Sequence, residues 1–436
     1  SQALGYYAQA RSLLEPNLSP SELFALLAEI AELKLTLGEN PRREVHQMNL
    51  LAAELGPAEQ YRLRLLEANA AVLTGVVEEG IASARQALEL AQTPLERGRV
   101  LFRLAWLEYR GGDPDAQLEP LEQAIQAFHQ AGERSLEAQA VRNLSGYWLR
   151  LGQIEAFEAA YGEALRLAQA VQDRYLLRRL VADRANVDWV MGRYGQSLAA
   201  GERLLTEARQ AGDLWAVWDA LQVQALNASV LGLDEGLELT LQNALKEAEA
   251  AGAWRDRAVL RSDLGTGLMA INRLSEAREH LSIALRELQE LGERARLGHT
   301  LFALGWTLLD LGQPELAEAY LSESADLWGE RKERRHRARS LAALALARLR
   351  YGDRAKACEV AQEAMRYLEG WARGLFDLPL VLYAYARALG EREGGPYLVR
   401  SQQAIRELAA ALEPSLQRRL LANRFVVHAL SKSDNS

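Results

Sequence analysis

The sequence predicts an all-α fold, an α-α solenoid of about ten antiparallel helix pairs with a terminal capping helix. Three observations carry that expectation. The composition is that of helices: Leu, Ala, Glu and Arg dominate a chain of 436 residues that holds only 11 Pro. Turn-forming residues recur at 40-residue steps. Small residues recur at the same period in two further columns.

The turn column contains Gly112, Gly152, Gly192, Gly232, Asn272, Gly312 and Gly352. Gly and Asn share one property, tolerance of the left-handed backbone that ends a helix sharply. Upstream the spacing shortens to 37 and gives Gly75 and Gly38. Seven residues before each turn stands a small residue: Ala105, Ser145, Ala185, Ala225, Gly265, Gly305 and Ala345. Twelve residues after it stand Ala124, Ala164, Leu204, Ala244, Ala284, Ser324 and Ala364. Small side chains at these places let two antiparallel helices approach closely. An apolar column through Leu101, Val141, Val181, Leu221, Leu301 and Leu341 is interrupted once, by Arg261. A second turn, with Gly132, Gly212, Gly252 and Gly292, closes each unit. Two helices of about 17 residues fit each period.

Along the chain this pattern divides as follows. Residues 1–16 read as the second helix of a repeat whose partner would lie upstream. Residues 17–92 hold two repeats of 37 residues, and 93–372 hold seven of 40. Residues 373–436 hold a divergent last repeat, a capping helix over "SLQRRLLANRFVVHAL", and a tail. The chain opens in helical pattern without an initiating Met, so it is read as a segment of a longer protein.

The repeat resembles the tetratricopeptide repeat (TPR). Gly305, Gly312, Ala317 and Ser324 stand at the spacing of that family's small, turn and packing positions, and Ala277 and Ala357 match Ala317. Gln117, Phe157, Ser197 and Leu237 depart there, and the unit exceeds the family's usual length of about 34 residues. The resemblance implies a right-handed superhelix with a concave groove lined by first-helix residues. Carried onto this sequence, the groove positions are Phe102, Trp106, Tyr109, Arg142, Arg179, Asn186, Trp189, His299, Phe302 and Trp306. Large aromatics beside Arg are the residue types that dominate binding hot spots.

A second resemblance is to the C-terminal region of bacterial signalling proteins that join a STAND-type ATPase to a helical-repeat tail. Some of these carry a cyclase or winged-helix transcription-activator domain. The units "LGQPELAEAYLSESADL" and "AGDLWAVWDALQVQAL" and the ending "EPSLQRRLLANRFVVHAL" carry it. It implies a cytoplasmic sensor arm that binds a protein, a peptide or a small-molecule inducer and passes the bound state to attached N-terminal domains.

Chemistry of other kinds finds little support. "GTGLMA", Gly265 to Ala270, has dinucleotide-fingerprint spacing but falls inside a helix, where Gly265 fills the small-residue column. The single Cys358 excludes an intramolecular disulfide and any Cys-rich zinc site. The six His are scattered, so neither a metal centre nor a cofactor is expected, and the chain reads as no enzyme. A net charge of −8 argues against direct nucleic-acid binding by the whole chain. No apolar run reaches the length of a membrane span. One basic run, "ERKERRHRARS", stands out, and Arg331, Lys332, Arg334, Arg335, Arg337 and Arg339 form a possible anion patch there. The alternatives to a sensor arm are an oligomerisation module, or an anion- or nucleic-acid-binding sensor acting through residues 331–339.

Overall fold

The structure, a computed structural model, describes residues 18–36, 40–74, 76–111, 115–368 and 370–431. Every regular element among them is helical. Residues 1–16, Gly38, Gly75, Gly112 and the end of the tail, on which several expectations rest, lie outside the described residues. The chain divides into two compact units, Ser1–Arg174 and Tyr175–Ser436.

The first unit contains α1 (Pro20–Thr36), α2 (Arg42–Leu50), α3 (Pro57–Thr74), α4 (Val77–Leu90), α5 (Pro94–Gly111), α6 (Leu118–Ala131), α7 (Arg134–Arg150) and α8 (Ile154–Ala170). Consecutive helices pack in sequence order. Its buried side chains fall into small clusters, each shared by adjacent helices, such as Leu101, Ala105, Leu121, Ala124 and Phe128 between α5 and α6. Nearest-neighbour burial of this kind is what stacked repeats require.

The second unit contains α9 (Arg174–Val190, from Tyr175 on), α10 (Tyr194–Ala211), α11 (Leu214–Leu231), α12 (Glu235–Ala250), α13 (Trp254–Ala270), α14 (Leu274–Glu290) and α15 (Arg294–Asp310). It continues through α16 (Pro314–Glu330), α17 (Arg334–Arg350), α18 (Arg354–Tyr367), α19 (Leu378–Leu389), α20 (Glu391–Ala410), α21 (Pro414–Ala422) and α22 (Arg424–Leu430). Most of its buried apolar side chains form one cluster that runs from Trp189 to Ala429, beside two small ones around Ala185 and Val259.

The chain is thus an all-helical solenoid of pairwise-packed helices, and its turns carry the expected backbone. Gly152, Gly192, Gly232, Asn272, Gly312 and Gly352 all have positive φ, between 65° and 90°. At Gly312 the turn is a Schellman motif: Gln313 N–H donates to Leu308 O at 2.9 Å and Gly312 N–H to Leu309 O at 3.2 Å. The second turn column also has positive φ, including Gln172 at 55° and Lys332 at 53°, where no glycine marks it. The small-residue column serves close approach. A Cβ on Gly305 would stand 2.6 Å from Leu321 Cγ, and one on Gly265 would stand 2.7 Å from Leu281 Cγ. Gly265 to Ala270 lies inside α13, so "GTGLMA" is helix rather than a phosphate loop. Arg261 is accommodated beside Glu287, 3.4 Å away. Cys358 is half-buried, and its thiol donates to Ala388 O at 3.0 Å.

The ending differs from the single capping helix expected. Asn423 breaks it into α21 and α22, accepting from Phe425 N–H as the N-cap of α22. The two short helices lie against the C-terminal ends of earlier helices in their unit. Arg419 donates to Leu231 O (2.8 Å) and Gly232 O (2.6 Å), and Asn423 to Val230 O (3.1 Å). Arg424 donates to Asn272 Oδ1 (2.7 Å) and Asp310 O (3.2 Å). The last carbonyls of a helix lack intrahelical donors and carry partial negative charge. Arginines and an asparagine from these two helices thus satisfy carbonyls at the ends of α11 and α15, and Arg424 also bonds the Asn272 side chain in the turn after α13.

Candidate ligand-binding cavity in the second unit

In a 40-residue repeat, residues one period apart present the same face. Five first helices of the second unit, α9, α11, α13, α15 and α17, line a common cavity of about 330 Å³. Asn186, Leu226 and Thr266 share one column, and His299 and Arg339 share another. The earlier helices contribute from their C-terminal halves and the later ones from their N-terminal halves. Small residues, among them Ala225, Ser229, Ser262 and Ala303, leave the space open.

The segment between α18 and α19 closes one side. Gly374 N–H donates to Val190 O at 2.8 Å, and Leu375 N–H donates to the Tyr194 hydroxyl at 2.5 Å. A Cβ on Gly374 would lie 3.2–3.3 Å from the carbonyls of Val190 and Trp189, so the strap packs closely there. It places Phe376 in the cavity wall, edge-on to Phe302 at 6.3 Å and to Trp306 at 5.8 Å. Asp377, 2% exposed, anchors the strap through Arg335 at 3.2 Å.

The polar groups of the cavity are concentrated and incompletely paired. Arg335 is matched by Asp377. Arg296 stands 3.6 Å from Asp263 and also donates to the Gln222 side-chain oxygen. Arg339 differs. The residue is 9% exposed, and its guanidinium lies over Phe302 (4.7 Å), Trp189 (5.7 Å) and Phe376 (5.8 Å). Among the described residues no carboxylate comes within ion-pair distance of it. Burial, aided by Arg335, pushes its pKa down to about 10, with Asp377 opposing. Three buried polar atoms of the lining have no partner: Arg339 Nε, Trp189 Nε1 and Asp263 Oδ2. Burial raises Asp263 to about 6, countered by Arg296.

His299 and His336, 37 residues apart in sequence, meet with ring centroids 4.6 Å apart. Trp328 stacks on His336 at 4.5 Å and tilts against His299 at 4.9 Å. Gly298 permits this, since a Cβ there would be 2.6 Å from the indole. Burial and the neighbouring guanidiniums hold both histidines well below their ordinary pKa, so both are neutral near pH 7.

The groove positions expected from sequence are distributed between the units. In the first, Phe102 packs edge-on to Phe128 at 6.2 Å. Trp106 carries the Arg110 guanidinium at 4.9 Å, and Tyr109 that of Arg150 at 5.8 Å. Arg142 is half-buried. In the second, Asn186, Trp189, His299 and Phe302 line the cavity. Trp306 lies outside the lining, covered by Phe376 and by Phe425 at 5.9 Å. Arg179 pairs with Asp219 at 3.5 Å.

The basic run does not form one surface. Arg335 and Arg339 turn into the cavity. Arg337 goes to Glu363 (2.7 Å) and over the Tyr367 ring (4.8 Å). Arg331 is buried, Lys332 occupies the left-handed turn position, and Arg334 is exposed at the start of α17. Asp263, Arg296, His336 and Phe376 belong to the site without having been singled out.

A larger and more open cleft of about 850 Å³ lies between α10, α20 and α21. Of its three arginines, Arg193 pairs with Asp188 at 2.6 Å, Arg419 donates to helix-end carbonyls and Arg373 also lines the cleft. The smaller cavity is the more enclosed of the two and has aromatic walls around a buried arginine, so it is the candidate site. Among the described residues no group of His, Cys, Asp and Glu could hold a metal ion, and no helix is long and apolar enough to cross a membrane.

Fold and repeat define the class: an all-helical, TPR-like repeat protein. No family model matches the chain, and no curated protein matches it by sequence. Among solved structures it is similar to the apo form of RapI, at 16% identity over 65% of this chain and 98% of that one, TM-score 0.42. It is also similar to NprR in complex with its cognate peptide NprX, at 12% identity over 84% and 97%, TM-score 0.43. A third is PH0952 of Pyrococcus horikoshii, a STAND protein with a tetratricopeptide repeat sensor, at 11% identity over 92% and 75%, TM-score 0.43. The likeness extends to the helical-repeat architecture and no further.

Proposed function

We propose that this chain is a ligand-binding regulatory repeat domain, the sensor arm of a larger bacterial signalling or transcription regulator. Its ligand, a small-molecule inducer or the end of a peptide, occupies the inner cavity of the second unit. One observation carries the reading: a buried arginine that no carboxylate pairs with among the described residues, Arg339, lines an aromatic-walled space to which five helices contribute. Buried polar groups are ordinarily hydrogen-bonded, and those left open around a cavity are the groups a ligand would engage. Its volume falls at the small end of the range of about 300–1,000 Å³ typical of ligand sites. Five repeats contribute to the lining, so an occupant would tie their relative positions together, as a sensor requires.

Filling the cavity from within tests this. Thr266 lines it, and its hydroxyl bonds only within its own helix, to Ser262 O at 2.9 Å. Thr266→Phe therefore projects a ring into the space without breaking an interhelical bond. A panel of metabolites and short peptides is screened by thermal shift against both proteins. Ligands that stabilise the wild type and not the variant are expected; ligands that stabilise both equally would overturn the assignment.

A further inference from the structure

The cavity contains a positive charge that the protein does not neutralise. Three guanidiniums, Arg296, Arg335 and Arg339, face two carboxylates, Asp263 and Asp377, and the two histidines between them are neutral. The uncompensated cation is Arg339, and it is the most enclosed of the three. Burying a cation is costly unless a counter-charge and hydrogen bonds accompany it. Its rings attract it through their faces, but rings accept no in-plane hydrogen bond, and Nε–H stays unspent. The Trp189 ring lies 5.7 Å from the same guanidinium.

We propose that the cavity binds a small organic carboxylate with a flat apolar body, its carboxylate on the Arg339 guanidinium and its body between Phe302, Phe376 and Thr266. This rests on the cavity being the ligand site, and it specifies the ligand's charge. A carboxylate suits a guanidinium because its two oxygens match two parallel N–H donors. The walls favour a flat body, since aromatic faces and edges supply most of the apolar surface.

The test uses the full chain and titration calorimetry with phenylacetate, indole-3-acetate and octanoate, each beside its neutral amide, and inorganic phosphate. Three proteins are compared: wild type, Arg339→Met and Thr266→Phe. At least one carboxylate is expected to bind the wild type, with affinity falling about tenfold or more in its amide and in Arg339→Met. Thr266→Phe is expected to abolish that binding. An amide that binds as tightly as its acid, yet is lost in Thr266→Phe, overturns the charge assignment and leaves the cavity reading intact. A carboxylate that binds Thr266→Phe undiminished overturns both. Phosphate binding as tightly as any carboxylate, or no carboxylate binding at about 10 mM, a Kd weaker than most regulatory ligands show, also overturns the inference. Far-ultraviolet circular dichroism of each variant establishes that it is folded.

Discussion

Replacing Arg339 by Met separates a functional arginine from a structural one. Burial pushes the Arg339 pKa down to about 10. That displacement is worth roughly 3 kcal/mol against the charged side chain in the folded protein. The three ring contacts at 4.7, 5.7 and 5.8 Å oppose it. Together they return on the order of 2–3 kcal/mol in a desolvated setting. Met keeps an unbranched apolar stem and its contact with the rings. The opposing effects cancel to within about 1 kcal/mol, so Arg339→Met is expected to move Tm by no more than about 2–4 °C in either direction. A buried arginine held in an ion pair behaves otherwise, since its removal typically costs about 3–5 kcal/mol. Differential scanning calorimetry, together with the carboxylate titrations, reads both quantities. Near-constant stability with lost binding is expected. A loss of about 3 kcal/mol or more would instead make Arg339 a residue that holds the repeats together.

Three further outcomes follow from the same structure. Lys332 occupies a left-handed turn with φ 53°, where the equivalent positions are mostly glycine, and Lys332→Gly is expected to stabilise the protein by about 1 kcal/mol in thermal unfolding. Asn423 both caps α22 and donates to Val230 O, and Asn423→Ala is expected to cost about 1–3 kcal/mol, with hydrogen exchange rising first in α21 and α22. Carboxylate binding is expected to weaken as pH rises through about 6, because Asp263, raised to about 6, then ionises and adds a negative charge beside Arg296. The histidines reinforce this sign, since protonating either at lower pH adds positive charge. By linkage, an acid with a raised pKa contributes stability below its unfolded value that is lost as pH rises through about 6. Asp263→Asn should flatten both profiles.

Much of the architecture was legible because a repeat states the same physical requirement several times. Gly or Asn at 40-residue steps meant a positive φ, and the backbone has it at each described position from Gly152 to Gly352. Small residues meant close helices, and Gly305 has no room for a methyl beyond its Cα. Turns at Gln172 and Lys332 were less visible, since nothing in those side chains demands φ > 0; the surrounding helices impose it. For the site, first-helix periodicity selected Asn186, Trp189, His299 and Phe302, which line the cavity, and Trp306, which does not. Trp306 is covered because Phe376 and Phe425 come from outside the repeats, and periodicity says nothing about segments that do not repeat. Asp263 and Arg296 looked like ordinary helix charges, and only their burial against each other distinguishes them. The basic run read as one patch because its residues are contiguous, but helical geometry sends neighbours to different faces. Arg335 and Arg339, four apart, share a face, whereas Arg337 points to Glu363.

Whether the second unit's inner cavity is the ligand site is decided by a crystal structure of the full chain soaked with the tightest-binding carboxylate of the panel. Density is expected between Phe302 and Phe376, with the carboxylate oxygens within hydrogen-bond distance of the Arg339 guanidinium. Density in the cleft between α10 and α20 instead, with the cavity empty, would contradict that expectation.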